Sequence, residues 1–248
     1  MKEILQESWT LAKRDYKRGF SVLKLIMFIV IALGMVILLS VGLDKVVRLP
    51  EGMSYIEFFP AGILAYLIAV QSMSGGLSVV EDKERFMKLV FVAPVSRISI
   101  FFGKVIHTML NAAMTYALIG LGVIVYLGDV SLVRIVLLIA VIILTVFVFL
   151  GLGLFLAVFI EKMSTLQAIN SALMMFFLLF SGILYPVSAL PSYLRMVLYL
   201  NPLTYTADAM VFALTGNMSI PFSFIVVTVL AFALPLLGIT FFERRMRM

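Results

Sequence analysis

The stretch LIMFIVIALGMVILLSVGL, residues 25–43, runs nineteen positions without a charged side chain. That run decides the solvent in which the chain folds. A helix of about 20 apolar residues crosses the roughly 30 Å hydrocarbon layer of a bilayer, where every backbone group must be satisfied inside its own segment. Five further apolar runs follow, near 58–80, 98–127, 131–160, 164–184 and 220–242. The pattern predicts six transmembrane helices and an all-α polytopic membrane protein, with 1–248 as a single transmembrane domain. The basic stretch ahead of the first run is too long for a signal peptide, and no small-residue cleavage site follows that run.

Composition agrees. The chain is 63% hydrophobic and 13% charged, with a mean hydropathy of +1.17. A soluble domain carries about 25% charged residues to cover its surface. The net charge of +6 raises the question of nucleic acid, but the basic residues sit beside apolar runs, where they orient helices in a bilayer. No nucleic-acid partner is expected. The absence of cysteine excludes disulfides, thiolate catalysis and Cys-ligated metal, and a single histidine argues against a His-based metal site.

Lys and Arg stay on the cytoplasmic side during insertion. With both termini cytoplasmic, the inner segments 1–24, 81–104, 161–165 and 243–248 hold fifteen of the nineteen, leaving Lys45, Arg48, Arg134 and Arg195 outside. Asp44, Glu51, Glu57 and Asp129 fall in outer loops on the same assignment.

Three segments outside the spans carry a pattern of their own. In residues 1–20, Leu5, Trp9, Ala12 and Tyr16 make one helical stripe with the basic residues largely off it. Such an amphipathic helix lies in the inner interface, either as an anchor or as a connecting helix. Residues 81–97 form the only substantial cytoplasmic loop. Glu84 pairs with Lys88 a turn later, while Phe86, Leu89, Val90 and Val92 give an apolar surface too large for a tether, and a Pro-Val-Ser-Arg turn ends the segment. A helix with acids at its N-terminus offers a partner both a charged and an apolar contact. Residues 185–210 stay apolar, yet Pro186, Pro191 and Pro202 forbid one continuous helix. Short re-entrant helices suit such a segment, provided their free backbone groups are buried in protein or line water. The alternative is an ordinary outer loop packed on the spans.

Polar residues within the spans are few. Gln71, Ser72, Ser74 and Ser78 are expected to hydrogen-bond between helices or line a path. His107 and Asn111 share a face and read as structural. Gly151 and Gly153 read as close helix packing, since no strand precedes them and no Lys-Ser or Lys-Thr follows.

The loop and the broken segment together resemble a known family. Glu84-Arg85, the APVSR of 93–97 and the following Gly103-Lys104 are similar to the cytoplasmic loop of ABC type-2 export permeases, in particular the drug-resistance and nodulation-factor export branch. Ser181-Gly182, Pro186-Val187, Leu190-Pro191, Asn201-Pro202-Leu203-Thr204-Tyr205 and Asp208 resemble that family's segment between spans five and six. Two departures stand out: no Gly separates Arg85 from Phe86, and Val211 stands where the family often has an Arg after the Asp.

The resemblance implies the permease subunit of an ATP-driven exporter that moves a hydrophobic or amphiphilic substrate, such as a drug, lipid or lipid-linked glycan, out of the cytoplasm or inner leaflet. It implies a second copy or a related permease as partner, and a separate nucleotide-binding subunit carrying ATP and Mg. This chain has no phosphate-binding Gly-rich Lys-Ser/Thr motif, so it is expected to hold no cofactor and catalyse nothing. Coupling to the ATPase falls to Glu81, Glu84, Arg85, Phe86, Leu89, Pro94 and Arg97. The interface helix contributes Leu5, Trp9 and Tyr16, and the outer gate Pro186, Pro191, Asn201, Pro202, Tyr205 and Asp208. The expected location is the plasma membrane of a prokaryote, in contact with its lipid. A secondary carrier or channel would normally need ionisable residues deep in its spans. An intramembrane enzyme would need a nucleophile beside a base, or clustered acids, and this sequence offers neither.

Overall fold

The computed structural model describes residues 9–10, 13, 22–44, 54–86, 131–160, 162–185, 191–216 and 222–245, with shorter helical pieces between 103 and 125. Regular structure among the described residues is entirely helical. The elements are α1 (Val22–Asp44), α2 (Tyr55–Phe86), α3 (Leu132–Phe159), α4 (Met163–Leu179), α5 (Ser192–Tyr199), α6 (Pro202–Thr215) and α7 (Phe222–Arg245). Helical positions at 103, 106–111, 116, 119–122 and 125 fall within the predicted third span. By length and composition, Tyr55–Gly75 and Leu132–Phe159 can cross a membrane, and Met163–Leu179 and Phe222–Gly238 are shorter apolar helices.

One boundary differs from expectation. The second span was expected to end near residue 80, ahead of a separate loop helix, but α2 is one 32-residue helix that continues to Phe86. Glu81, Lys83, Glu84 and Arg85 are good helix formers, and neither Gly nor Pro separates them from Val80. At about 1.5 Å per residue the helix is far longer than the roughly 30 Å apolar layer, so its polar end projects beyond it. Glu81, Glu84, Arg85 and Phe86 therefore occupy its last turns. Their side chains lie outside the described residues, as do Leu5, Tyr16, Leu89, Pro94, Arg97 and Pro186 altogether. Trp9 is helical and exposed.

The core lies where α2, α3, α6 and α7 meet. Its members include Leu64 and Ile68 of α2, Leu138 and Phe149 of α3, Leu203, Met210 and Leu214 of α6, and Val227 and Ala231 of α7. The α3–α7 crossing is the tightest. A Cβ on Gly151 would lie 2.6 Å from the Pro235 nitrogen and 2.8 Å from the Leu234 carbonyl carbon, so only glycine permits this approach. Pro235 has no N–H to give its own helix, and the close glycine backbone packs against its ring. The close-packing expectation for Gly151 is met.

α1 leans on α2 through Val36, which packs with Tyr55, Phe59 and Ile63. Its opposite side exposes Ile26, Met27, Val30, Ile37, Leu38 and Val41, an apolar surface that the other described residues leave uncovered.

Three helix hydroxyls are satisfied locally. Ser72 donates to Ile68 O at 2.6 Å, Ser74 to Val70 O at 2.8 Å and Thr145 to Val141 O at 2.8 Å, each four residues back in its own helix. The interhelical role expected for Ser72 and Ser74 is thus not what these side chains do. A buried hydroxyl finds the carbonyl of its own preceding turn without requiring a partner helix.

Candidate functional site

Beyond α4 the chain does not go directly into the last long helix. It first makes a bend and two short helices, and the reason is local. Phe180 closes α4, and Gly182 follows with φ 74°, a left-handed turn that a side chain would strain. Ser181 Oγ donates to Leu178 O at 3.0 Å, which tightens the bend. Ile183 is then driven into the core against Gly62 of α2, where a Cβ would come within 2.8 Å of its Cγ2. The Tyr55 hydroxyl donates to Leu184 O at 3.3 Å, and the Tyr185 hydroxyl to Leu179 O. The bend is therefore pinned to the N-terminal half of α2.

Pro191 is the N-cap residue of α5, whose last turn leads into Asn201. Asn201 is 2% exposed and uses its whole amide. Its Oδ1 accepts from Leu203 N at 2.9 Å, capping α6, while Nδ2 donates to Phe177 O and Phe180 O at 2.8 Å each. A single side chain thus starts one helix and satisfies two carbonyls at the end of another. Pro202 follows in the first turn, where its missing N–H costs nothing.

The next two residues reach backwards. Thr204 Oγ1 donates to Leu198 O at 2.8 Å and the Tyr205 hydroxyl to Tyr199 O at 2.7 Å. The stretch Asn-Pro-Leu-Thr-Tyr is in structural terms a joint: it binds α6 to the ends of both α4 and α5. The sequence had assigned Asn201, Pro202 and Tyr205 to one site, and the structure brings them together. Thr204 belongs beside them.

α6 itself is enclosed. Leu203, Ala207, Ala209, Met210, Val211, Ala213 and Leu214 are all buried, and the helix is only 14 residues long. It sits among the long helices without being long enough to cross beside them. Gly216 ends it at φ 69°, its N–H returning to Phe212 O. Arg134, in the first turn of α3, reaches that end: Nη1 is 3.5 Å from Leu214 O, and Nη2 would be 3.0 Å from a Cβ on Gly216. A cation there complements the negative end of the helix dipole. Sequence reading had counted Arg134 only as a charge that orients α3.

Asp208 faces the start of α7, where Ser223 Oγ donates to its Oδ2 at 3.1 Å. α6 is too short to be one of the crossing helices, and burial pushes the half-buried Asp208 carboxyl up to about 6, with the Ser223 hydrogen bond pulling the other way. Tyr205, one turn earlier, is raised as well, first by burial and then by the Tyr199 and Asp208 charges. Ser223 is the partner that spacing could not reveal, since it lies fifteen residues away on another helix.

None of these groups forms a nucleophile–base pair. The arrangement is one of joints between helices. Comparison with known proteins supplies the family. A Cyanophora paradoxa protein whose name describes it as a transport permease, ycf38, is 29% identical over 164 residues, covering 62% of this chain. The matched stretch spans about half of that relative, 54% of its length. The ABC-2 type transporter family model matches residues 1–215, from the first residue through the whole of α6, and the chain therefore belongs to the ABC-2 type transporter family.

Proposed function

We propose that this chain is the membrane half of an ATP-driven exporter, working as two permease copies with two nucleotide-binding subunits that carry ATP and Mg. The observation that carries this reading is α6, a short buried helix joined by side-chain hydrogen bonds to α4, α5 and α7. Six crossings with both termini in the cytoplasm put that joint on the outer side, where it closes a pathway between the two copies. The far end of α2 and residues 87–97 then lie on the cytoplasmic side and dock the ATPase, while 1–20 lies in the inner interface. The apolar bundle suits a hydrophobic or amphiphilic cargo such as a drug, lipid or lipid-linked glycan. A prokaryotic plasma membrane is the setting that fits.

In this mechanism the chain supplies contacts that differ between two states, while hydrolysis happens elsewhere. ATPase closure pushes on the end of α2 around Glu84 and Arg85, and the joint opens at the opposite face.

The test is gentle extraction from membranes with mild crosslinking, followed by mass spectrometry and an ATPase assay on what co-purifies. An ATP-hydrolysing partner in equal amount, lost when Glu84 and Arg85 are both charge-reversed, is the expected result. Transport by the purified chain alone, without ATP, would overturn the proposal in favour of a secondary carrier.

A further inference from the structure

α4 differs from the other apolar helices in what it leaves uncovered. On α7 the exposed positions include Ile225, Val229, Phe232 and Leu236, and the described exposed positions of α1 carry no polar side chain either. α4 buries only Leu166, Asn170 and Met174, each four residues after the last, and beside that stripe it exposes Ser164, Gln167 and Ser171. At about 100° per residue these three lie within about 60° of one another, with the exposed Ala168 and Ala172 next to them. Ser72, Ser74, Thr145 and Thr228 each bond the carbonyl of their own preceding turn. The side chains of Ser164, Gln167 and Ser171 take no partner among the described residues.

Asn170 is a second, independent mark. It is 8% exposed, and its Oδ1 is enclosed without a donor. A buried acceptor left in that state is costly. Asn170 stands about 60° round the helix from Gln167, so a small turn of α4 about its axis brings both amides to one face.

A crossing helix gains nothing by presenting amides and hydroxyls to hydrocarbon, which offers them no partner. From this placement we propose that the Ser164–Gln167–Ser171 face of α4 is where a second copy of this chain docks, with the two α4 helices parallel and Gln167 hydrogen-bonded to its own counterpart. The proposal rests on reading α4 as a crossing helix of a two-copy permease. Gln and Ser each carry a donor and an acceptor, so the face is complementary to itself, as a two-fold axis along the bilayer normal requires. α4 has no ionisable residue, so two copies meet there without opposing like charges. Ser164, Ala168 and Ala172, spaced four apart, let two backbones come close, which the wall of a water-filled path would not need. Met175 and Leu179 are bulkier, so the approach is closest in the first half of the helix.

The chain contains no cysteine, so single cysteines can be introduced and oxidised without removing any native thiol. Full-length chains carrying Ala168→Cys or Ser171→Cys on α4 are compared in native membranes with Val30→Cys on α1 and Val229→Cys on α7, all four positions being exposed. Cysteines whose Cα atoms stand more than about 7 Å apart cannot be bridged, so the two α4 positions should give on the order of tenfold more disulfide-linked dimer. Gln167→Leu, added to Ala168→Cys, removes the hydrogen bonds between the helices. It should lower the dimer yield about threefold or more, with the amount of chain in the membrane unchanged.

Yields on α4 no higher than those on α1 and α7 would overturn the proposal, as would a Gln167→Leu chain that crosslinks undiminished. Reaction of the α4 cysteines with a water-soluble maleimide in place of disulfide formation would also overturn it, and would make this face the wall of an aqueous path. Failure of the exporter reading looks different: the α4 dimer forms, but no ATP-hydrolysing subunit co-purifies with it.

Discussion

Two meetings of helices in this molecule are built on opposite principles. Where α3 crosses α7, a bare glycine lets backbone touch backbone, while Thr145 of α3 and Thr228 of α7 bond carbonyls within their own helices. Where α6 meets α4, α5 and α7, the contacts are hydrogen bonds from side chains to neighbouring elements, through Asn201, Thr204, Tyr205 and Asp208. Lipid tails are as apolar as leucine, so helices in a bilayer cohere by close packing or by polar bonds. Close packing has a single good geometry. Polar joints, by contrast, can be exchanged for water and remade.

That contrast can be broken from either side. The largest effect is expected at the crossing. Gly151→Leu inserts a side chain where backbone atoms already lie within 2.8 Å of a Cβ, and neither Pro235 nor the α7 backbone can give way. We expect a loss of about 3 kcal/mol or more, visible as unfolding at lower denaturant or as failure to accumulate in membranes.

Asn201→Ala comes next. It removes an N-cap and strips donors from the Phe177 and Phe180 carbonyls, a cost of roughly 2–3 kcal/mol. Because the frame is untouched, the expected signature is selective: amide exchange in α5 and α6 accelerates, while exchange in α3 does not. Uniform acceleration would mean the joint is part of the frame.

Tyr205→Phe deletes one hydroxyl that bridges α6 to α5, worth about 1 kcal/mol. Ser72→Ala deletes a hydroxyl bonded only to its own helix, and should cost within about 0.5 kcal/mol. The same atom is removed in both cases. Equal effects on thermal stability would erase the distinction between joint and frame.

Much of this architecture was legible beforehand. The apolar runs near 131–160 and 220–242 correspond to α3 and α7 within a few residues, because a long run without charge leaves a helix no competing arrangement. Three prolines in seventeen residues announced short helices, and Pro202 stands in the first turn of one. Distance along the chain concealed the rest. Asn201 bonds carbonyls 21 and 24 residues earlier, and no local pattern encodes that reach. Arg134 caps a helix 80 residues away. The continuation of α2 was hidden for a different reason: charged residues mark where lipid ends, and helix-forming ones do not oblige the helix to end there too.

The length of α2 has a mechanical side. Thirty-two residues at about 1.5 Å apiece make a rod of roughly 48 Å, with Pro60 in its second turn and Gly75-Gly76 farther along. Near one tip it grips the bend at Ile183 and Leu184 through Gly62 and Tyr55, and its other tip leads into residues 87–97. A tilt of about 5° around the middle of such a rod swings each tip by roughly 2 Å, enough to part a 3.3 Å hydrogen bond such as Tyr55 to Leu184. A lever of these proportions needs no chain of intermediate contacts to be felt at its far end.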